Sequence, residues 1–275
     1  AVIMALTNKL SILTGGAGTG KTTIVKLVVD TIKNFNPNVK IELAAFTGKA
    51  VRRLSEDMKK IEAKTIHRLI GLNELKERNK PLKEVNADFL IIDEASMIDV
   101  YLFYNLLSVI HENTQVLIIG DCNQLPSIGP GLILKDLVES KVIPCMTLKE
   151  VYRQKSDSKI LENAQKIIRG KKNLNLEVSD EFNFIETKSI KEIQHNIINS
   201  IENLKESGYK MKDIQIITPI NKGNIGTLKL NRLIQERFNS QRINKPEIKV
   251  GVTKIFRLGD KVMQTINNYA LNVFN

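Results

Sequence analysis

Eight consecutive residues near the amino terminus have the composition of a phosphate-binding loop. The run Gly15–Thr22 reads GGAGTGKT and fits the pattern G-x-x-x-x-G-K-[ST]. Glycines let backbone N–H groups turn toward phosphates, and a following helix adds partial positive charge at its N-terminus. We predict that Lys21 contacts the β- and γ-phosphates and that Thr22 offers its hydroxyl to magnesium. The predicted nucleotide-binding residues are Gly16, Ala17, Gly18, Thr19, Gly20, Lys21, Thr22 and Thr23.

An acidic pair follows the apolar run that ends at Asp93, in the sequence LIIDEAS. If this run is a strand, Asp93 lies at the carboxyl edge of the sheet, beside the loop that binds phosphate. Two adjacent carboxylates disfavour each other unless a cation is close, so the pair indicates a bound cation. We predict that Asp93 holds magnesium through water and that Glu94 orients and deprotonates the attacking water.

A third apolar run ends at Asp121, within VLIIGDCNQLPSIGPG, and Gln124 follows three residues later. A neutral amide in this position can contact a γ-phosphate and report its presence. Prolines and glycines at these spacings are also typical of an ordinary turn-rich loop, and the residues alone leave both interpretations open.

Composition narrows the class of protein. Hydrophobic residues make up 42% and charged residues 26% of the 275, which is typical of a globular protein. No apolar run approaches a membrane span, and the first ten residues do not resemble a signal peptide, so we expect a cytoplasmic protein without membrane contact. Two cysteines and three scattered histidines indicate neither a disulfide framework nor a metal held by protein alone. The net charge of +11 suits a polyanionic partner or a solvated lysine-rich surface, and residues 205–261 carry 13 basic against 5 acidic residues.

These residues must be positioned by alternating strands and helices, which predicts an α/β protein with a mainly parallel sheet. Predicted strands are Leu10–Thr14, Ile41–Phe46, Phe89–Asp93, Val116–Gly120, Phe182–Glu186 and Ile214–Thr218. Predicted helices are Thr22–Asn34, Lys49–Lys60, Val100–His111, Ser158–Arg169, Lys191–Ser207 and Ile225–Asn239.

The order of these motifs resembles the RecD-like DNA helicases of superfamily one, related to the exodeoxyribonuclease V alpha subunit. The resemblance rests on GGAGTGKTT, FTGKAVRRLSE, TIHRLIG, IIDEASMID, GDCNQLPSIGPG, EVYRQ and the later ITPINKGNIGTLKLNRLIQ and FRLGDKVMQTINNY. It implies a P-loop NTPase fold with two RecA-like motor domains, the second incomplete, and ATP in the cleft between them. Residues 1–150 would form the first domain, with a small insertion at 71–87. Residues 151–275 would form the second, with a β-rich insertion from about 245.

The resemblance also implies roles for individual residues. Lys21, Thr22, Asp93, Glu94 and Gln124 take the roles argued above, and Arg153 would reach the γ-phosphate from the second domain. Residues implied to contact DNA are Thr47, Gly48, Lys49, Thr65, His67, Thr218, Pro219 and Asn221. For His67, packing within a helix is an almost equal alternative, and for Arg153 a surface salt bridge is the other interpretation.

The implied activity is ATP-driven translocation on single-stranded DNA, in the 5′ to 3′ direction, with unwinding at duplex junctions. ATP and Mg²⁺ are the implied cofactors, and nuclease or helicase subunits the possible partners. The chain departs from the family in its aromatic content of 5% with no tryptophan, because single-stranded DNA is often bound by stacking on aromatic side chains. The family's adenine-reading glutamine, its later SQG-type DNA motif and its final arginine motif have no counterpart between Ala1 and Asn275. We therefore expect a fragment cut at both ends that binds nucleotide, hydrolyses ATP slowly and does not unwind DNA alone.

Two other functions remain open from the sequence. One is a nucleotide-dependent DNA-binding module without motor activity. The other is a different P-loop enzyme, such as a small-molecule kinase. A kinase would need an acceptor pocket and a lid, whereas this chain has Gln124 and a second half of alternating strands and helices, which argue against it.

Overall fold

The computed structural model describes residues 1–58, 61–72, 80–152, 158–241, 245–251 and 254–263. The chain divides into two compact units, the first containing residues 1–175 and the second beginning at residue 176. In the described ranges no helix combines the length and the apolarity needed to cross a membrane.

The first unit is built on a six-stranded parallel sheet. Its strands are β1 (Leu10–Gly15), β2 (Ile41–Ala45), β3 (Ala63–Thr65), β4 (Phe89–Asp93), β5 (Gln115–Gly120) and β6 (Cys145–Leu148). Their order across the sheet is β3-β2-β4-β5-β1-β6. The first unit is therefore α/β with a parallel sheet, as the sequence predicted, and this agrees with the P-loop NTPase fold that the resemblance implies.

Helices alternate with these strands along the chain. They are α1 (Val2–Thr7), α2 (Lys21–Phe35), α3 (Gly48–Asp57), α4 (Ile66–Leu69), α5 (Val100–Leu107), α6 (Ile133–Ser140) and α7 (Lys159–Ile168), with a 3₁₀ turn at Ala95–Met97. β1, β4 and β5 are almost completely buried, which explains why most of their residues are apolar.

Side chains from the two faces of the sheet enter two separate hydrophobic clusters. On one face Leu13, Leu43 and Ile91 pack with residues of α1, α2 and α3. On the other face Ile12 and Ile92 pack with residues of α4, α5 and α6. Since alternate residues of one strand supply both clusters, the carboxyl end of each strand is held in place from both sides.

The second unit contains α8 (Ile190–Glu206), a 3₁₀ turn at Met211–Asp213, α9 (Thr227–Phe238) and the antiparallel strands β7 (Glu247–Val250) and β8 (Lys254–Arg257). A polar network around Asp260 connects this hairpin to α9. Gln235 donates to Asp260 Oδ2 and Asn239 donates to Asp260 Oδ1, both at 2.6 Å. The Arg257 amide also donates to Asp260 Oδ2, at 2.7 Å. The hairpin lies where the sequence predicted short β segments.

Two predicted strands are wrong. Neither Phe182–Glu186 nor Ile214–Thr218 forms a strand in the structure. A strand needs a hydrogen-bonded neighbour, and among the described residues neither segment has one. Ile217 is also 89% exposed, so apolar composition alone misled the prediction. The described part of the second unit has no parallel sheet, and its assignment as a RecA-like domain stays a prediction.

The insertion at 71–87 stays a prediction, and residues near both of its ends are buried. Leu72, Val85 and Ala87 are buried in the core of the first unit, and the Lys83 amide donates to Ile70 O at 2.9 Å. Residues 73–79 lie outside the described ranges. The division into domains at residue 150 also stays a prediction, although residues 151–175 group with the first compact unit.

Candidate functional site

The carboxyl ends of the parallel strands meet at one edge of the sheet, and most predicted site residues follow these ends. In the register of the sheet, Thr14 of β1 pairs with Gly120 of β5, and Gly15 pairs with Leu148 of β6. The predicted phosphate loop therefore leaves the sheet between β5 and β6. This edge is where parallel α/β sheets place their ligands.

The loop turns into α2 through glycines in the left-handed region. Gly18 has φ 75° and Gly20, which precedes the first helical residue, has φ 88°. The N-terminus of α2 has no side-chain cap and no acidic residue in its first turn. Its first N–H groups are therefore available to an anion, and the first turn itself carries no acidic residue.

Lys21 folds back over this loop. Its Nζ donates to Gly15 O at 2.6 Å and to Gly16 O at 2.8 Å, and the Thr19 hydroxyl also donates to Gly16 O, at 2.9 Å. The ammonium group thus lies at the loop itself. A phosphate that enters the loop would compete with these carbonyl oxygens for Lys21.

The acidic pair lies at the end of β4. Asp93 Oδ1 accepts a hydrogen bond from the Glu94 amide at 2.8 Å, and Glu94 adopts φ 54°, a conformation that non-glycine residues rarely occupy. Burial raises the pKa of Asp93, opposed by that hydrogen bond and by the charges of Lys21 and Arg53. Burial also raises the pKa of Glu94, and the charge of Asp93 adds to the effect. Both carboxylates are therefore costly to keep ionised without a further cation.

Arg53 was not identified from the sequence. It lies on α3, and its charge lowers the pKa of both Asp93 and Glu94. The doubled arginine in AVRRLSE offered no local sign of this role. It follows from the order of the strands, because α3 begins at the end of β2 and β2 is the neighbour of β4.

Gln124 lies in the loop that follows β5. The buried Asp121 starts this loop: its side chain accepts from the Asn123 amide at 3.0 Å, and its carbonyl oxygen accepts from the Gln124 amide at 3.1 Å. The side chain of Gln124 is exposed. The order β4-β5-β1 brings this loop, the acidic pair and the phosphate loop onto three adjacent strands.

Few side chains at this edge of the sheet could bind a metal ion. Among the described residues, no group of three or more His, Cys, Asp or Glu side chains could hold a metal ion. Thr22 and Asp93 supply oxygen only, which matches a magnesium ion that takes its remaining ligands from water and phosphate.

The predicted DNA-contacting residues of the first unit lie at the same edge, after β2 and at the end of β3. Thr47 caps α3 by accepting from the Ala50 amide at 3.2 Å, with Gly48 and the exposed Lys49 in the first turn. Thr65 caps α4 in the same way, accepting from the Arg68 amide at 3.2 Å. His67 packs edge-on against Phe46, with ring centroids 5.8 Å apart.

The other predicted residues lie elsewhere. Thr218, Pro219 and Asn221 belong to the second unit, in the turn before α9, where the Thr218 hydroxyl donates to Ile225 O at 2.8 Å. Arg153 lies outside the described residues. The residue before it, Tyr152, donates its amide to Gly18 O of the phosphate loop at 2.9 Å.

Comparison with known proteins shows which families this chain resembles. A family model described as an AAA domain matches residues 1–130, and one described as an ATP-dependent RecD-like DNA helicase SH3 domain matches residues 230–275. The ATP-dependent RecD2 DNA helicase of Deinococcus radiodurans is 33% identical over 98% of this chain and 35% of its own length. The chain belongs to the RecD-like helicase family. The RecBCD enzyme subunit RecD of Buchnera aphidicola subsp. Schizaphis graminum is 29% identical over all of this RecD-like chain and 57% of its own.

The RecD-like chain thus spans about a third to somewhat over half of the length of these curated relatives. Among solved structures, Bacteroides sp. Pif1 in complex with ADP-AlF4 is 17% identical, with a TM-score of 0.46 over 100% of this chain and 66% of that one. Pif1 helicase from Candida albicans is 19% identical, with a TM-score of 0.45 over 72% of this chain and 53% of that one.

Proposed function

We propose that this chain is the nucleotide-binding motor core of an ATP-dependent DNA helicase that couples Mg²⁺-ATP hydrolysis to 5′ to 3′ translocation on single-stranded DNA. The observation that supports this most directly is the shared sheet edge. There the phosphate loop, the acidic pair, the Gln124 loop and two capped helix starts follow five of the six parallel strands. The relatives named as an ATP-dependent DNA helicase and as RecD subunits support the same activity.

In this proposal the triphosphate lies on residues 16–23. The uncapped N-terminus of α2 donates its amides, and Lys21 exchanges Gly15 O and Gly16 O for phosphate oxygens. Thr22 and Asp93 hold magnesium, which would neutralise charge on the β- and γ-phosphates. The site's chemistry fits both ligands, since its donors to phosphate are amides and an ammonium group and its donors to metal are oxygens.

Glu94 is the proposed general base. Burial and the neighbouring Asp93 raise its pKa, which moves the carboxyl toward the pH at which it can take a proton from water. Gln124 contacts the γ-phosphate from the next strand along, and Arg153 would supply a further positive charge. The guanidinium group suits phosphate because it stays charged and donates to two oxygens at once.

DNA would lie along the β2 and β3 side of the edge, against Thr47, Gly48, Lys49, Thr65 and His67. A helix start with a free cation such as Lys49 suits a DNA phosphate. The residues Thr218, Pro219 and Asn221 would add contacts from the second unit. Duplex junctions would be the substrate of the longer protein, and further nuclease or helicase subunits are proposed partners because several relatives are named as RecBCD subunits.

The test compares the unchanged chain with Lys21→Ala, using Lys26→Ala as the matched control. Lys26 is an exposed lysine on the same helix, five residues later. Charge-assisted hydrogen bonds contribute about 1.5–3 kcal/mol, so Lys21→Ala should weaken Mg²⁺-ATP binding roughly 10- to 100-fold while Lys26→Ala leaves it unchanged. Binding is measured with a fluorescent nucleotide, and ATP turnover with and without single-stranded DNA.

Turnover that rises with DNA and is lost in Lys21→Ala would support the motor. Weak turnover that DNA does not change, together with nucleotide binding, would support a motor core that lacks the later motifs. Nucleotide binding that changes DNA affinity without any ATP turnover would refute the motor and favour a nucleotide-dependent DNA-binding module. Transfer of the phosphoryl group to a nucleoside or a sugar would refute both and identify a phosphotransferase.

A further inference from the structure

The loop that carries Gln124 is fixed at both ends and exposed in the middle. Its first end is held by the buried Asp121. At its second end the Ser127 hydroxyl donates to Gly129 O at 2.9 Å and to Gly131 O at 3.0 Å, and Pro130 O accepts from the Val100 amide at 2.9 Å. Between these ends Leu125 is 86% exposed and the side chain of Ile128 fully so. The position of Gln124 therefore depends on its two anchors.

The second anchor includes a contact that only glycine permits. A Cβ placed on Gly129 would lie 1.9 Å from Asp99 Oδ2, 2.7 Å from Asp99 Cγ and 2.8 Å from Asp99 Cβ. Gly129 does not have a positive φ, so its backbone conformation does not require glycine. The close approach to Asp99 does.

Asp99 cannot easily move away from this contact. Its Oδ1 accepts from the Leu102 amide at 2.8 Å and so caps α5. Rotating the side chain would break that cap, and its Cβ would still lie too close. Asp99 is also only five residues after Glu94, on the segment that leaves β4.

The strand before the loop makes a second close approach to the same segment. A Cβ on Gly120 would lie 2.5 Å from Leu134 Cδ2 of α6, 3.1 Å from Ser96 N and 3.3 Å from Ala95 N. Both ends of the stretch 120–129 thus press against the chain between Glu94 and α5.

We propose that Asp99 is a positioning residue whose contact with Gly129 sets the placement of Gln124 relative to Glu94, and thereby how well the protein distinguishes ATP from ADP. The inference rests on the proposed γ-phosphate role of Gln124. An amide donates usefully to a phosphate oxygen only at about 2.7–3.2 Å, so a shift of the anchor by roughly 1 Å removes the contact. ADP lacks the γ-phosphate that Gln124 would contact, so affinity for ADP should not change.

The experiment measures the Kd of ADP and of the non-hydrolysable analogue AMP-PNP, both with Mg²⁺, for five variants and the unchanged chain. Gln124→Ala removes the sensor, Gly129→Ala introduces the overlap, and Asp99→Gly removes every atom in that overlap. The double variant Gly129→Ala with Asp99→Gly tests for rescue, and Ile128→Ala is the control at the exposed tip of the same loop. Glycine is a tolerated N-cap, costing only a few tenths of a kcal/mol relative to aspartate, so Asp99→Gly should fold.

We expect Gln124→Ala and Gly129→Ala to shift the ratio of the two Kd values by about tenfold in the same direction, with the Kd for ADP within about twofold of the unchanged chain. The double variant should return the ratio to within about twofold of its original value, and Ile128→Ala should leave it unchanged. A Gly129→Ala ratio that is unaffected while Gln124→Ala shifts it would overturn the positioning role alone. An unaffected ratio in Gln124→Ala would overturn the γ-phosphate role on which the inference rests. Loss of ADP binding in Gly129→Ala that the double variant does not restore would show general structural damage and also overturn the inference.

Discussion

Two buried hydroxyl groups in the first unit should respond in opposite directions to the same chemical deletion. Ser11, in the middle of β1, is fully buried, and its Oγ has no hydrogen-bond partner among the described residues. Thr114, just before β5, is 3% exposed, and its Oγ1 donates to Ala87 O at 2.6 Å. Removing the hydroxyl should therefore stabilise the protein at Ser11 and destabilise it at Thr114.

The magnitudes follow from what each hydroxyl costs or contributes. A buried polar group without a partner costs about 1–3 kcal/mol, so Ser11→Ala should raise the free energy of unfolding by about 1 kcal/mol after the loss of one oxygen's packing. Thr114→Val keeps the shape of the side chain but leaves Ala87 O without its donor, and should lower the free energy of unfolding by about 1–3 kcal/mol. For a unit of this size, each kcal/mol moves Tm by about 2–4 °C.

Urea and thermal unfolding followed by circular dichroism measure both changes. Both residues lie in the first compact unit, so they should shift the same transition and leave that of the second unit in place. Ser11→Ala with an unchanged or lower Tm would refute the reasoning, because it would mean that a buried water already satisfies the hydroxyl. Thr114→Val with no loss of stability would refute the other half.

Two further predictions concern the carboxylates. Asp93→Asn should raise the Tm of the nucleotide-free chain by a few degrees at neutral pH, because it removes a partly buried charge beside Glu94 while an amide oxygen can still accept from the Glu94 N–H. The same variant should lose Mg²⁺-dependent nucleotide binding. A lower Tm for Asp93→Asn would contradict the argument. Burial disfavours the carboxylate of Asp260, but hydrogen bonds from the Arg257 amide, Asn239 and Gln235 outweigh it and lower its pKa. The stability that Asp260 contributes should therefore be complete above about pH 4 and be lost as the pH falls further, whereas Asp260→Asn should remove this pH dependence from hydrogen exchange at the β7–β8 hairpin.

The central sheet was predictable because burial on both faces leaves a local signal. Phe89–Asp93 has the predicted bounds, and Leu10–Gly15 and Gln115–Gly120 differ from prediction by one residue. The edge strands gave no such signal. Ala63–Thr65 has only three residues, and three of the four residues of Cys145–Leu148 are exposed, so neither has the continuous apolar run of a central strand.

The positions of several candidate site residues, although not their roles, were also predictable from local pattern. The phosphate loop and the acidic pair Asp93–Glu94 lie at the ends of apolar runs, and Gln124 follows the end of another by four residues, so local pattern places them at or near strand ends. The charge of Arg53 and the contact between Asp99 and Gly129 depend on which strands are neighbours, and that information is not local. The false strand at Ile214–Thr218 has the same cause, since its apolar residues gave no indication of whether a partner strand would lie beside it.

Strand order also determines how the two functions proposed for this edge could communicate. The nucleotide residues follow β4, β5 and β1, whereas the proposed DNA residues follow β2 and β3. The helix α3 belongs to both groups: Thr47 caps its first turn, and Arg53, further along, acts on the charges of Asp93 and Glu94. Any movement of α3 on DNA binding would change the electrostatic environment of the proposed general base. In the strand order β4 is the nucleotide strand next to β2, so the acidic pair lies on the strand that borders the proposed DNA side of the sheet.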